Sequence, residues 1–113
     1  MDTKIKEFLE SKANNTWLEY SWGRVYVRKS QRPMCDIYIT MFDIASIEVL
    51  PQYRGMGYFT AWLDQVEQQV TMPIFVENIF NGRLYQFLLD RHYTIMSDGP
   101  PWSVRTLTNY KPI

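Results

Sequence analysis

The stretch IEVLPQYRGMGYF, residues 47–59, joins an apolar run to an amphipathic one through two glycines that flank a single methionine. The run before it, Ile44 to Leu50, reads as a strand. After it, Phe59, Trp62, Leu63, Val66 and Val70 recur at helical spacing, with Asp64, Gln65, Glu67, Gln68 and Gln69 on the other face. The order is strand, Gly-X-Gly, helix. The first turn of a helix leaves about four N–H groups without partners, and the helix dipole places roughly half a positive charge there. Glycines admit positive φ and let an anion come close to the backbone. Arg54 adds a side-chain cation. The turn is built like a cradle for a phosphate or pyrophosphate. For these residues alone, a tight strand–helix turn with no ligand stays open. Two other phosphate loops are excluded. A P-loop needs Gly-Lys-Ser/Thr where Tyr58 and Phe59 stand, and the dinucleotide fingerprint needs a third glycine where Thr60 stands.

Working outward, Ile5, Phe8 and Leu9 in the segment MDTKIKEFLESK predict a short amphipathic helix. The segment TWLEYSWGRVYVRKSQRP predicts strand, turn and strand, with Gly23 in the turn and Pro33 closing the second strand. Residues 34–50 continue extended and are expected to break near Phe42–Asp43 into two strands. Pro73 ends the central helix. PIFVEN is a short buried strand, and NGRLYQFLLDRHY is a helix with Asn81 as N-cap and Leu84, Phe87 and Leu88 inward. YTIM and SVRTLTNY are two last strands joined by SDGPP. The expected fold class is α/β (α+β): one domain, residues 1–113, on one mixed, mostly antiparallel sheet flanked by helices.

The chain has 113 residues, enough for one core. Twelve basic residues balance twelve acidic ones, so bulk charge points to neither nucleic acid nor an anionic membrane. Arg24, Arg28, Lys29 and Arg32 cluster, and read as a solvated strand edge. Cys35 is the only cysteine, so no intrachain disulfide forms, which suits a reducing compartment. The charged N-terminus has no signal-peptide core, and no apolar run reaches the roughly 20 residues of a membrane span. The expectation is a soluble cytoplasmic protein. No metal site is expected.

The segment from Ile47 through the central helix resembles the acetyl-CoA signature of the GNAT superfamily of N-acetyltransferases, Gln/Arg-X-X-Gly-X-Gly/Ala. Gln52, Gly55 and Gly57 fill its fixed positions, and Val49 and Pro51 stand where expected. The segment ENIFNGRLYQFLLDRHY resembles the next family segment, through Asn81, Leu84, Phe87 and Leu88. Together they cover Ile44 to about Tyr93. The resemblance implies a GNAT-like sheet whose two central strands, Ile47–Leu50 and Ile74–Asn78, splay apart around pantetheine. It implies acetyl-CoA as co-substrate, with its pyrophosphate on the turn formed by Gln52, Tyr53, Arg54, Gly55, Met56, Gly57 and Tyr58. It further implies that the backbone of Val49 and Leu50 holds the thioester arm and that Asn81 contacts pantetheine or caps the following helix.

The chain departs from the family in three ways. Only about 45 residues precede the signature strand, so the wall of the acceptor site is reduced. The tyrosine that serves many members as general acid falls on Leu88 when counted from Asn81, and on Tyr85 when counted from Asn78. The base is unassigned. An amine with an ordinary lysine pKa of about 10.4 is mostly protonated at neutral pH, so a base is needed, and Glu48 and Asp43 are the candidates. His92, at a helix end, reads as capping or exposed. The leading expectation is an acetyl-CoA-dependent N-acetyltransferase that passes acetyl directly to an amine acceptor, a small molecule or a protein. The other is a catalytically weak or inactive GNAT-fold binding module working through a protein partner. The aromatic early strands, Trp17 to Tyr26, make a homodimer the simplest way to cover an exposed face.

Overall fold

A computed structural model describes residues 1–34, 37–76, 82–91, 93–95 and 106–108. Among them lie three helices and six strands: α1 Thr3–Glu10, β1 Asn15–Tyr20, β2 Gly23–Met34, β3 Ile37–Val49, α2 Tyr58–Gln69, β4 Ile74–Val76, α3 Gly82–Asp90, β5 Thr94–Ile95 and β6 Thr106–Thr108. The strands form one sheet in the order β1-β2-β3-β4-β6-β5. Among the described strands only the β3–β4 pair is parallel. The fold is therefore α+β on one mixed sheet, in agreement with the coarse expectation. Cys35, Asn78, Asn81, His92 and Trp102 lie outside the described residues.

Alternation decides which face of the sheet is buried. Leu18 on β1, Val25 and Val27 on β2, and Phe42 and Ile44 on β3 point to one side, where they meet Ile5 and Phe8 of α1, Trp62, Leu63 and Val66 of α2, and Leu88 of α3. Each large side chain buried there contributes about 1.5–3 kcal/mol. The opposite face carries Trp17, Tyr26, Met41, Asp43 and Phe75; Met41 and Phe75 form a second small cluster with Ile39. No described helix joins that cluster.

Two strand boundaries differ from the sequence-based expectation. β2 runs through Pro33. β1 stops pairing with β2 at Asn15↔Arg28, so among the described residues β2 is an edge beyond it, where a residue without an N–H is tolerated. β3 does not break at Phe42–Asp43; it is continuous and paired with β2 along its length. What the sequence suggested as a break is a bulge: Tyr26 pairs with Ser46 and Val27 with Ile44, so Ala45 is the extra residue. Its effect is to move the inward parity from Phe42 and Ile44 to Ile47 and Val49, which pack on the same core.

Polar contacts fasten the helices. Asp2 caps α1 by accepting from the Ile5 N–H at 3.1 Å. Its other carboxylate oxygen accepts from the Tyr20 hydroxyl at 2.9 Å, and that hydroxyl accepts from Trp62 Nε1 at 2.9 Å. The Asp2 backbone exchanges two hydrogen bonds with the Gln69 amide, tying α1 to the end of α2. Just beyond α3, Arg91 is held by Asp64 and Glu67 of α2, and Tyr93 donates to Glu67 at 3.0 Å. Glu67, more than Asp64, keeps Arg91 firmly protonated.

Gly23 shows the closest approach in the hairpin. At φ +153°, a Cβ there would lie 2.0 Å from the Glu48 carbonyl oxygen. Gly23→Ala is expected to cost about 3 kcal/mol in urea unfolding. Gly57→Ala, whose Cβ would meet nothing within 4 Å, should cost only the roughly 1–2 kcal/mol of a left-handed backbone. Equal losses would refute the clash.

Burial, reinforced by Asp2, raises the Tyr20 hydroxyl pKa despite the opposing bond from Trp62. Burial and then the Glu67 charge raise that of Tyr93. Unfolded tyrosines ionise near pH 10, at about their free value. The unfolded state therefore releases protons first, and this stability is complete below about pH 10 and lost as pH rises toward the folded values. The urea midpoint is expected to fall above about pH 10, and less steeply in Tyr93→Phe. A midpoint that stays flat to about pH 11 would exclude this linkage.

Candidate functional site

The bulge and the glycine turn open one cleft. It is lined by β3 from Ala45 to Leu50, by Glu19, Tyr20, Gly23 and Arg24 of the β1–β2 hairpin, by Pro51, Arg54, Gly55 and Phe59 of the turn and α2, and by Arg83 and Leu84 of α3, and its volume is about 1630 Å³. Among the described residues, β3 pairs with β4 from Phe42↔Ile74 to Ile44↔Val76. Past Ile44 no described strand continues the ladder on that side.

Backbone direction follows from two bonds. Phe42 donates to the Pro73 carbonyl on the β4 side, and Leu50 donates to the Trp22 carbonyl on the hairpin side, each at 2.8 Å. Polar groups of successive strand residues alternate in direction, so Val49 and Ile47 aim theirs into the opening. The Val49 carbonyl already holds a bond there, from Arg54 Nε at 3.1 Å.

The turn itself is a short 3-10 stretch, Pro51–Tyr53, followed by Gly55 at φ +76° and Gly57 at φ +83°, ψ 8°. Gly57 is the N-cap of α2, and its carbonyl accepts from Ala61 at 3.0 Å. The N–H groups of Gly55, Gly57, Tyr58, Phe59 and Thr60 find no acceptor among the described residues. Met56 is 65% exposed, and Gln52 and Arg54 are exposed beside it, so the turn lies at the surface. An anion arriving at this turn meets a row of N–H groups, a helix dipole and the Arg54 guanidinium.

The acid–base candidates sit in different places. Glu48 lines the cleft and is exposed. Its carboxylate accepts from Arg24 at both oxygens, at 3.2 and 3.4 Å. Arg24 in turn lies 4.0 Å above the Trp17 ring and 3.8 Å from Glu19. Asp43 is on the same sheet face but completely buried, does not line the cleft, and is held by Arg28 at 3.0 Å and Ser30 at 3.3 Å. Tyr85 packs against the core beside Phe87, and the α3 residues that line the cleft are Arg83 and Leu84. Leu88 is fully buried.

Three members of the basic cluster are engaged by neighbours while their side chains stay partly solvated. Arg24 and Arg28 are cross-strand partners of Glu48 and Asp43, and Lys29 donates to the Ser11 carbonyl at 2.6 Å while lying over the Phe8 ring. Arg24, Arg83 and Phe59 are cleft residues that motif reading did not reach. The signal for Arg24 is its register opposite Glu48, which needs the strand pairing to be known. No group of three or more His, Cys, Asp and Glu is placed to hold a metal ion among the described residues. No helix formed by them is long and apolar enough to cross a membrane. In comparisons with known proteins, no family model, no curated protein and no solved structure matches this chain.

Proposed function

We propose that the chain is a GNAT-like, acetyl-CoA-dependent N-acetyltransferase acting by direct transfer. The observation that carries this reading is that the glycine turn at the start of α2, with Arg54 beside it, adjoins a strand edge, Ile47 to Val49, whose polar groups are aimed into the cleft. The turn offers charge for a diphosphate. The strand edge offers hydrogen bonds to the amides of an extended arm. A ligand that is anionic at one end and an amide-bearing chain at the other, as CoA is, engages both.

In the reaction, the acceptor nitrogen attacks the thioester carbonyl carbon, the C–N bond forms, and the C–S bond breaks to release CoA thiolate. The ammonium proton must leave the acceptor before or during attack, and the thiolate takes up a proton afterwards. Glu48 is the cleft carboxylate, and Arg24 fixes its orientation. Asp43, buried and tied to Arg28, is the weaker candidate. Tyr85 packs away from the cleft lining, so solvent is the proton source for the thiolate. That same packing favours a second reading, a domain that binds CoA without turning it over and works through a partner.

Acetyl-CoA at about 100 times its Kd is expected to stabilise the protein by about 2.7 kcal/mol, a melting shift of roughly 10 °C for a domain of this size. Gly57→Glu should erase the shift by adding a side chain and a negative charge at the turn. A parent protein with no shift at millimolar acetyl-CoA refutes both readings.

Activity separates the two. With mixed amines and a thiol reagent, the enzyme reading expects CoA release, lowered about a hundredfold in kcat by Glu48→Gln and unchanged by Tyr85→Phe. Binding without any release would leave the module.

A further inference from the structure

β3 overhangs its neighbour. It begins at Ile37, whereas β4 first meets it at Phe42↔Ile74. Phe42 donates to the Pro73 carbonyl on the β4 side. By alternation, Tyr38 and Thr40 turn their N–H and C=O groups to that side, while Ile37, Ile39 and Met41 turn theirs to β2. No described residue pairs with the outward groups. The side chains are open as well: Ile37 is 62% and Tyr38 73% exposed, and Thr40 is exposed. The aromatic rings of β1 and the hairpin differ. Trp17 and Tyr26 pack on each other at 5.1 Å under Arg24, Tyr20 is partly buried and Trp22 is buried.

An open strand edge is a template for another strand, and sheets normally blunt it with charge, proline or shortness. The other described edges are blunted in that way. β1 carries Glu19, β2 beyond Arg28 carries Lys29, Arg32 and Pro33, and β5 is only Thr94–Ile95. The edge from Ile37 to Met41 reads Ile-Tyr-Ile-Thr-Met, with no charge, proline or glycine. We propose that this edge pairs antiparallel with the same edge of a second copy of the chain, joining the two sheets into one. The segment is its own complement. Two uncharged copies meet without repulsion, and the outward N–H and C=O groups of Tyr38 and Thr40 find acceptors and donors of the same kind. On the face of Met41 and Phe75, Ile37 and Ile39 of each strand come beside those of the other, and enlarge the cluster that Ile39 already joins. A two-fold axis uses up the edge in both copies, so assembly stops at the dimer. Val49 lies about 30 Å along the strand from Ile39, so pairing leaves the cleft open.

Edges this short bury little area, which places the dimer among transient complexes, with a Kd on the order of 100 μM. Sedimentation equilibrium should give a mass close to 13.5 kDa at about 10 μM, rising toward twice that at about 1 mM. Hydrogen exchange locates the contact. At about 1 mM the Tyr38 and Thr40 amides should slow about fivefold against dilute protein, while the Ile39 amide, directed to β2, is unchanged. Thr40→Pro removes one outward N–H per chain and no bond to β2, and should weaken the dimer about thirtyfold. Tyr38→Lys keeps every backbone group, sets like charges beside the axis, and should weaken it too. A mass of 13.5 kDa held up to about 1 mM would overturn the dimer and leave the edge to a strand of another protein. A dimer that both variants leave at full affinity, or that protects neither Tyr38 nor Thr40, would place the contact elsewhere and overturn the edge pairing.

Discussion

One extra residue, Ala45, sets the geometry on which the cleft depends. Without the bulge, the alternation that buries Phe42 and Ile44 would carry on unbroken, so that Ser46 and Glu48 faced the core while Ile47 and Val49 faced water. With it, Ile47 and Val49 join the core, Ser46 and Glu48 face the other side, and the strand keeps its pairing with β2. A bulge also bends its strand and increases local twist. Among the described residues, the ladder between β3 and β4 runs from Phe42 to Ile44, just before that point. The polar groups of Ile47 and Val49 are left aimed into the opening by the same shift in parity.

The helices hold that opening in place. α2 starts at the glycine turn and ends at Gln69, whose amide is bonded to the Asp2 backbone. Its middle carries Asp64 and Glu67, which hold Arg91 after α3. The helix is therefore fastened at its far end to α1 and along its side to α3. Its near end carries no side-chain cap: Gly57, the N-cap residue, has a left-handed backbone and its carbonyl accepts from Ala61. Exposed ion pairs contribute little to stability, so the Arg24–Glu48 contact matters less for the fold than for where the Glu48 carboxylate points.

Much of the architecture was legible in the chain because it depends on local pattern. Apolar residues at helical spacing placed α1 and α2, and aromatic and β-branched residues on either side of Gly23 placed β1 and β2. The break expected near Asp43 failed for a physical reason. A charged residue inside an apolar run reads as a turn, but Arg28 lies opposite it across the ladder and neutralises it in the buried face. Pro33 failed as a stop because β2 has no outer neighbour there among the described residues. Both outcomes depend on which residues face each other across strands distant in sequence, information that no local pattern carries.

The same distinction divides the site. The glycine turn is made of backbone, so its conformation is written in two residues that tolerate positive φ, and the structure forms it where the sequence put it. An added Cβ at Gly55 or Gly57 meets no neighbouring atom, so the protein itself does not demand glycine for lack of room; the backbone angle does, and the space above the turn stays open. Acid–base groups are different, because their use depends on which way a side chain points. Glu48, Asp43 and Tyr85 were equivalent as letters. Register sends the first to the cleft and the second into a buried ion pair, and helix phase sends the third against the core. Backbone conformation at the turn is thus readable from sequence well before the placement of acid–base side chains.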